Sequence, residues 1–216
     1  MIGSIIKSTG SWYLIRNDKG EIFNSKLRGK FKISNHNLSN PIATGDEVEF
    51  DEDKNNLGNY IINKILPRNN YLIRKSIKKK NNGHIIASNI NQAIIISSLK
   101  NPFTKSRFID RFLISCFAYR IPALVIYNKK DILNNKEKNR LNQEIDYYKK
   151  IGFNSLSISA KFDKKIKKLK SILKNKTSLF IGNSGVGKST LINRLSYNAN
   201  QKTSEISKKS NKGKHR

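Results

Sequence analysis

The chain has 216 residues, enough for one large or two small domains, and its 43 Lys and Arg against 15 Asp and Glu give a net charge of +28. One cysteine and three histidines rule out an internal disulfide and a cysteine-rich zinc site, and they fit a reducing cytoplasm. Met1-Ile2-Gly3-Ser4 opens no signal peptide and no apolar run approaches spanning length, so neither export nor a membrane is expected.

Residues 1–68 read as all-β. Trp12-Tyr13-Leu14-Ile15 is a strand, Asn17-Asp18-Lys19-Gly20 a turn, and Glu21-Ile22-Phe23 a second strand. Gly45-Asp46-Glu47-Val48-Glu49-Phe50 alternates polar and apolar, and the strand-like run 60–66 is stopped by Pro67. Short strands with this punctuation predict an OB-fold β-barrel, an architecture that often binds oligonucleotides; a β-domain used only for packing is the plain alternative. Residues 69–89, with Arg74-Lys75 and Lys78-Lys79-Lys80-Asn81-Asn82-Gly83, read as a basic, solvated linker. The charge has two readings at this stage. One is a polyanionic partner, RNA or a ribosome. The other is an AT-rich genome, since 33 Lys stand against ten Arg.

From residue 90 to 216 strands and helices alternate, which predicts a doubly wound, mostly parallel sheet. Ala93-Ile94-Ile95-Ile96 is a buried strand. A helix over 107–120 buries Phe108, Ile109, Phe112, Leu113, Cys116 and Phe117. A strand over 123–127, a helix over 137–150 buried through Leu141, Ile145 and Tyr148, and a strand over 153–158 follow. A Lys-rich helix over 164–173 with Ile166, Leu169 and Leu173 as its apolar stripe leads to a last strand, 177–181, and a helix over 188–195. His36, His84 and His215 read as loop residues.

Three motifs carry chemistry. Gly182-Asn183-Ser184-Gly185-Val186-Gly187-Lys188-Ser189 is a P-loop between a strand and a helix, followed by Thr190. Its glycines let backbone N–H groups turn toward phosphate oxygens, and the helix N-terminus adds positive potential. Lys188 reaches the β- and γ-phosphates and Ser189 ligates Mg²⁺; these are the two candidate catalytic residues. Asn128-Lys129-Lys130-Asp131 matches N-K-x-D, the guanine-reading segment of GTPases. By chance that pattern occurs in about one such chain in six, but here it ends an apolar strand, where open α/β sheets bind ligands. Ser159-Ala160-Lys161, ending the next strand, matches the S-A-K segment. Asp131 suits guanine N1–H and the 2-amino group, Asn128 braces base and P-loop, the Lys129 stem covers the base, and the Ala160 N–H suits guanine O6.

In an ordinary GTPase the P-loop precedes N-K-x-D, whereas here N-K-x-D and S-A-K come first. A β-barrel followed by that order resembles the RsgA (YjeQ) family of circularly permuted ribosome-biogenesis GTPases, over essentially the whole chain. Further echoes are Asn89-Ile90-Asn91-Gln92, Ile109-Asp110-Arg111-Phe112-Leu113, Glu205-Ile206-Ser207 and Gly213-Lys214-His215. The resemblance implies GTP/GDP and Mg²⁺ as ligands and the small ribosomal subunit and its rRNA as partners. It also implies slow, subunit-stimulated GTP hydrolysis by a cytoplasmic monomer. It departs from the family in three respects: the chain stops in switch I, D-x-x-G is missing, and the structural zinc domain is expected to be absent. These departures predict a truncated GTPase domain with an incomplete sheet and strand 177–181 at an edge. The rivals are a hydrolysis-dead remnant that binds only guanine nucleotide or rRNA, a P-loop ATP enzyme with an accidental N-K-x-D, and a purely RNA-binding OB protein.

Overall fold

The computed structural model describes residues 1–9, 11–28, 41–75, 83–163 and 166–196. His36, His215 and the segments 205–207 and 213–215 lie outside these. The chain forms two compact units, Met1–Ile90 and Asn91–Arg216.

The first unit contains a closed barrel of five strands: β1 (Ile2–Thr9), β2 (Trp12–Arg16), β3 (Ile22–Leu27), β4 (Glu47–Glu52) and β5 (Tyr60–Ile65). Their order around the barrel is β1-β2-β3-β5-β4, with β3 and β5 parallel and the other pairs antiparallel. Ile5, Tyr13, Ile15, Ile42, Val48, Phe50 and Ile62 fill it. β1 is absent from the sequence expectation. Its alternation is broken by a register shift between Ile5 and Lys7. It also buries a glycine instead of an apolar residue: a Cβ on Gly3 would stand 2.6 Å from Ile15 Cγ2.

The segment expected to be a solvated linker contains two strands, β6 (Tyr71–Lys75) and β7 (Gly83–Ser88), paired antiparallel and burying Leu72, Ile85 and Ala87. His84 is therefore a strand residue, not a loop residue. The physical reason is a buried polar junction. Asp46 is fully buried and accepts hydrogen bonds from Arg68 Nε (2.6 Å) and Nη2 (2.7 Å), the Ala43 N–H (2.8 Å) and Ser88 Oγ (2.5 Å). Removing water from a carboxylate costs several kcal/mol unless donors replace it, so Arg68 and Ser88 are drawn onto the barrel. The neighbouring turn is equally tight: Gly45 has φ +95°, and a Cβ there would lie 2.0 Å from the Ser88 carbonyl oxygen.

In the second unit β8 (Gln92–Ser97), β9 (Ala123–Tyr127), β10 (Asn154–Ser157) and β11 (Ser178–Ile181) form a parallel sheet in the order β10-β9-β8-β11. Among the described strands β11 is therefore an edge. The continuous apolar run of β8 is buried on both faces, as a central parallel strand requires. Ile95 packs with α1 (Ser106–Ala118) and α2 (Asn135–Lys150), through Ile109, Leu113, Leu141, Ile145 and Tyr148. Ile94 and Ile96 pack on the other face with α3 (Ile166–Leu173) and α4 (Lys188–Leu195), through Ile166, Leu169 and Leu191. Phe117, expected on the core face of α1, is instead 78% exposed, because Ile109, Leu113 and Cys116 already complete the helix's buried stripe. Asn91 and Gln92 hold the start of β8 against β11: Asn91 Oδ1 accepts from the Thr177 N–H and Gln92 Nε2 donates to Ser178 Oγ.

Candidate nucleotide site

The strand order reverses between β8 and β11, since the chain runs β8, β9, β10 outward and then returns to the far side of β8. In open α/β sheets ligands bind beyond the carboxyl ends of the strands at such a reversal. The loop 182–187 leaves β11 there and enters α4. It lies against the end of β8, where a Cβ on Gly182 would stand 2.5 Å from the Ile96 carbonyl oxygen. Gly185 (φ +80°) and Gly187 (φ +95°) take left-handed backbone that side chains disfavour. Ser189 and Thr190 lie in the first turn of α4. Lys188 Nζ donates to the Gly182 carbonyl (2.7 Å) and the Asn183 carbonyl (2.8 Å). Burial lowers its pKa below the ordinary lysine value. A cation half removed from water and bonded to carbonyls is poised to meet an anion, so the loop suits a phosphate.

Asn128 joins the three motifs. Its backbone N–H donates to the Ser97 carbonyl, which extends the β9–β8 ladder by one residue and buries the side chain. Its Nδ2 donates to the Val186 carbonyl of the P-loop at 2.8 Å, and its Oδ1 accepts from the Ala160 N–H at 2.7 Å. The expected bracing of the P-loop by Asn128 is present. The Ala160 N–H, which the sequence assigned to guanine O6, instead aligns the Asn128 amide.

The remaining candidates surround this bridge. Lys129 has a left-handed backbone (φ +65°), and its Nζ donates to the Asn101 carbonyl. Burial lowers its pKa, against an opposing effect of Asp131. Lys130 pairs with Asp163 at 2.5 Å, tying the loop after β9 to the one after β10. Asp131 is exposed in a 3₁₀ turn, Lys130–Ile132. Ser159 is buried and its Oγ accepts from the Phe162 N–H at 3.3 Å. Lys161 is exposed with its Nζ 5.3 Å from the Phe162 ring centroid. Asp163 and Arg194, whose Nη1 donates to the Ala160 carbonyl at 2.9 Å, escaped sequence reading. Neither belongs to a motif; Arg194 carries only the weak signal of lying on the P-loop helix. Among the described residues no group of three His, Cys, Asp or Glu side chains could hold a metal ion.

A closed five-strand barrel followed by a parallel α/β sheet, with N-K-x-D preceding the P-loop, defines the circularly permuted P-loop GTPase fold. Family models of the RsgA N-terminal domain and the RsgA GTPase match residues 2–61 and 65–216. A "Small ribosomal subunit biogenesis GTPase RsgA" of Azobacteroides pseudotrichonymphae genomovar. CFP2 is 43% identical over 215 residues, which are 100% of this chain and 68% of that protein. The crystal structure of YjeQ from Thermotoga maritima superposes with a TM-score of 0.71 at 29% identity, covering 93% of this chain and 66% of that one. YloQ, described as a circularly permuted GTPase, shares the fold with a TM-score of 0.63 at 24% identity, over 89% of this chain and 63% of that one. The chain belongs to the RsgA GTPase family and spans about two thirds of the length of the relatives it matches.

Proposed function

We propose that the chain binds GTP and GDP at the end of its parallel sheet and acts as a GTPase in late maturation of the small ribosomal subunit. The observation that carries this reading is the Asn128 bridge, which joins P-loop, N-K-x-D and S-A-K through two hydrogen bonds of one buried side chain. Gly182, Asn183, Ser184, Gly185, Val186, Gly187 and Thr190 form the phosphate cradle, with Lys188 placed to meet the β/γ oxygens. Ser189 would hold Mg²⁺ together with phosphate oxygens; the ion supplies charge neutralisation when bound. A Ser hydroxyl is a hard oxygen donor of the kind Mg²⁺ takes, and waters and phosphate oxygens would supply the rest of its octahedral shell.

On the base side Asp131, exposed at the edge of its turn, accepts from guanine N1–H and the 2-amino group. Lys129 covers the base, Lys130 locks its loop to the next, and the 159–161 turn lies against the six-position edge. In this reading residues 1–68 are the OB-fold barrel that contacts rRNA, 69–89 its basic extension, and 90–216 the GTPase domain, in a cytoplasmic monomer. Among the described residues no helix is long and apolar enough to cross a membrane.

Competition against labelled GDP tests the proposal. GTP is expected to displace it and ATP to fail at equal concentration. Asp131→Ala is expected to weaken GDP binding by roughly 2–4 kcal/mol through the loss of charge-assisted bonds. Equal affinities for ATP and GTP would overturn the reading.

A further inference from the structure

Arg194, in the last turn of α4, has no part in the nucleotide contacts above, yet it reaches the base-side turn. Its Nη1 donates to the Ala160 carbonyl at 2.9 Å. Ala160 is buried, and its N–H donates to Asn128 Oδ1 at 2.7 Å. Both polar atoms of this residue are therefore committed to protein partners. The carbonyl of Ser159, one residue earlier, is also committed, accepting from the N–H groups of Phe162 (3.2 Å) and Asp163 (2.8 Å). With Asn128 Nδ2 on the Val186 carbonyl at 2.8 Å, the bonds close a circuit. It runs from P-loop to Asn128, to Ala160, to Arg194, and back along α4 to the P-loop.

The circuit has a consequence for base choice. Guanine presents an acceptor, O6, at its six-position, whereas adenine presents an amino donor there. A turn that selects guanine must withhold its carbonyls, because a carbonyl free to turn toward the base would accept from adenine's amino group. We infer that Arg194 is a positioning residue for guanine selection. It holds the Ala160 carbonyl on α4 and so fixes the polarity of the 159–161 turn, without touching the nucleotide. The inference rests on the guanine-nucleotide reading proposed above.

The test is calorimetric titration of the 216-residue chain with GDP, ADP and inorganic pyrophosphate, for the wild type, Arg194→Ala and Arg194→Lys. Loss of one charge-assisted bond predicts that Arg194→Ala narrows the GDP-to-ADP affinity ratio by about tenfold. Pyrophosphate affinity is expected to stay at the wild-type value, because that ligand meets only the P-loop. Arg194→Lys keeps a cationic donor and is expected to restore most of the ratio. An unchanged ratio in Arg194→Ala would overturn the positioning role. So would an equal loss for all three ligands, which would mean that Arg194 merely stabilises α4. A wild-type chain that binds ADP as tightly as GDP would overturn the guanine reading, and the role of Arg194 with it.

Discussion

Gly187 must lack a side chain for two independent reasons. Its φ of +95° disfavours any L side chain, and a Cβ would stand 2.3 Å from Asn128 Nδ2. Gly187→Ala would therefore push the Asn128 amide off both its partners, leaving the buried Val186 carbonyl and Ala160 N–H unpaired at about 1–3 kcal/mol each. The expected outcome is a fall in GDP affinity of about a hundredfold or more, read by calorimetry; wild-type affinity in the variant would show that the bridge is dispensable. Cys116 is a second residue whose behaviour follows from its position. It is fully buried, and burial pushes its thiol up to about 11. The folded state thus binds the thiol proton more tightly than the unfolded chain, whose ordinary value is 9.0. That stabilisation is whole below the unfolded value and falls as pH rises toward 11. At pH 8 a thiol reagent should label this one cysteine at the rate of unfolding of the second unit; immediate labelling of the native chain would contradict its burial.

At the scale of elements, local chemistry decides where each loop stops and each helix starts. Asn134 caps α2 by accepting from the Glu137 N–H at 2.9 Å while the Glu137 carboxylate accepts from the Asn134 N–H at 2.9 Å. This capping box ends the N-K-x-D loop three residues beyond Asp131 and anchors it to a rigid helix. In the first unit the deciding element is the junction of β4, β7 and the chain after β5 around Asp46. Asp46→Ala removes the acceptor of four hydrogen bonds and leaves Arg68, whose side chain is 17% exposed, without its counter-charge. A cost of about 3–5 kcal/mol is expected, as for other broken buried pairs. Urea unfolding followed by the fluorescence of Trp12, the single tryptophan, measures it, and a loss below 1 kcal/mol would argue that the junction is not structural.

For the molecule as a whole the charge of +28 has to be weighed against its origin. Lys neutralises phosphate whatever process enriched it, so a functional role has a thermodynamic signature. If rRNA is the partner, the logarithm of the affinity falls linearly with the logarithm of salt, by about 0.7–0.9 for each phosphate neutralised. Small subunits titrated between low and physiological salt are expected to show a loss of several orders of magnitude; a flat response would assign the charge to genome composition. Isolated surface pairs such as Lys64–Glu49 (3.5 Å, both side chains well exposed) contribute little to stability, because water and salt screen them and two long side chains must be held in one geometry.

Much of the candidate site was legible because its motifs are statements about backbone. A P-loop needs glycine where φ is positive. N-K-x-D and S-A-K follow apolar strands whose ends the periodicity places within a residue or so, as at Ala123–Tyr127. The alternation of strands and helices likewise determined the parallel sheet, and the reversed motif order determined its permuted connectivity. Tertiary structure decided what depends on partners distant in sequence. β1 is a strand because β2 and β4 pair with it on either side, although its own alternation is broken. Residues 69–89 read as solvated because their polarity is local information, whereas the burial of Asp46, 42 residues before Ser88, is not. Phe117 is apolar yet exposed, since helical spacing marks a face without saying how wide a stripe the sheet covers. The Ala160 amide turned to Asn128, 32 residues away, and Arg194 reached 34 residues back to the Ala160 carbonyl. Such bonds exist only once the sheet has brought its strand ends together, because no local rule relates a side chain to a carbonyl that folding alone makes its neighbour.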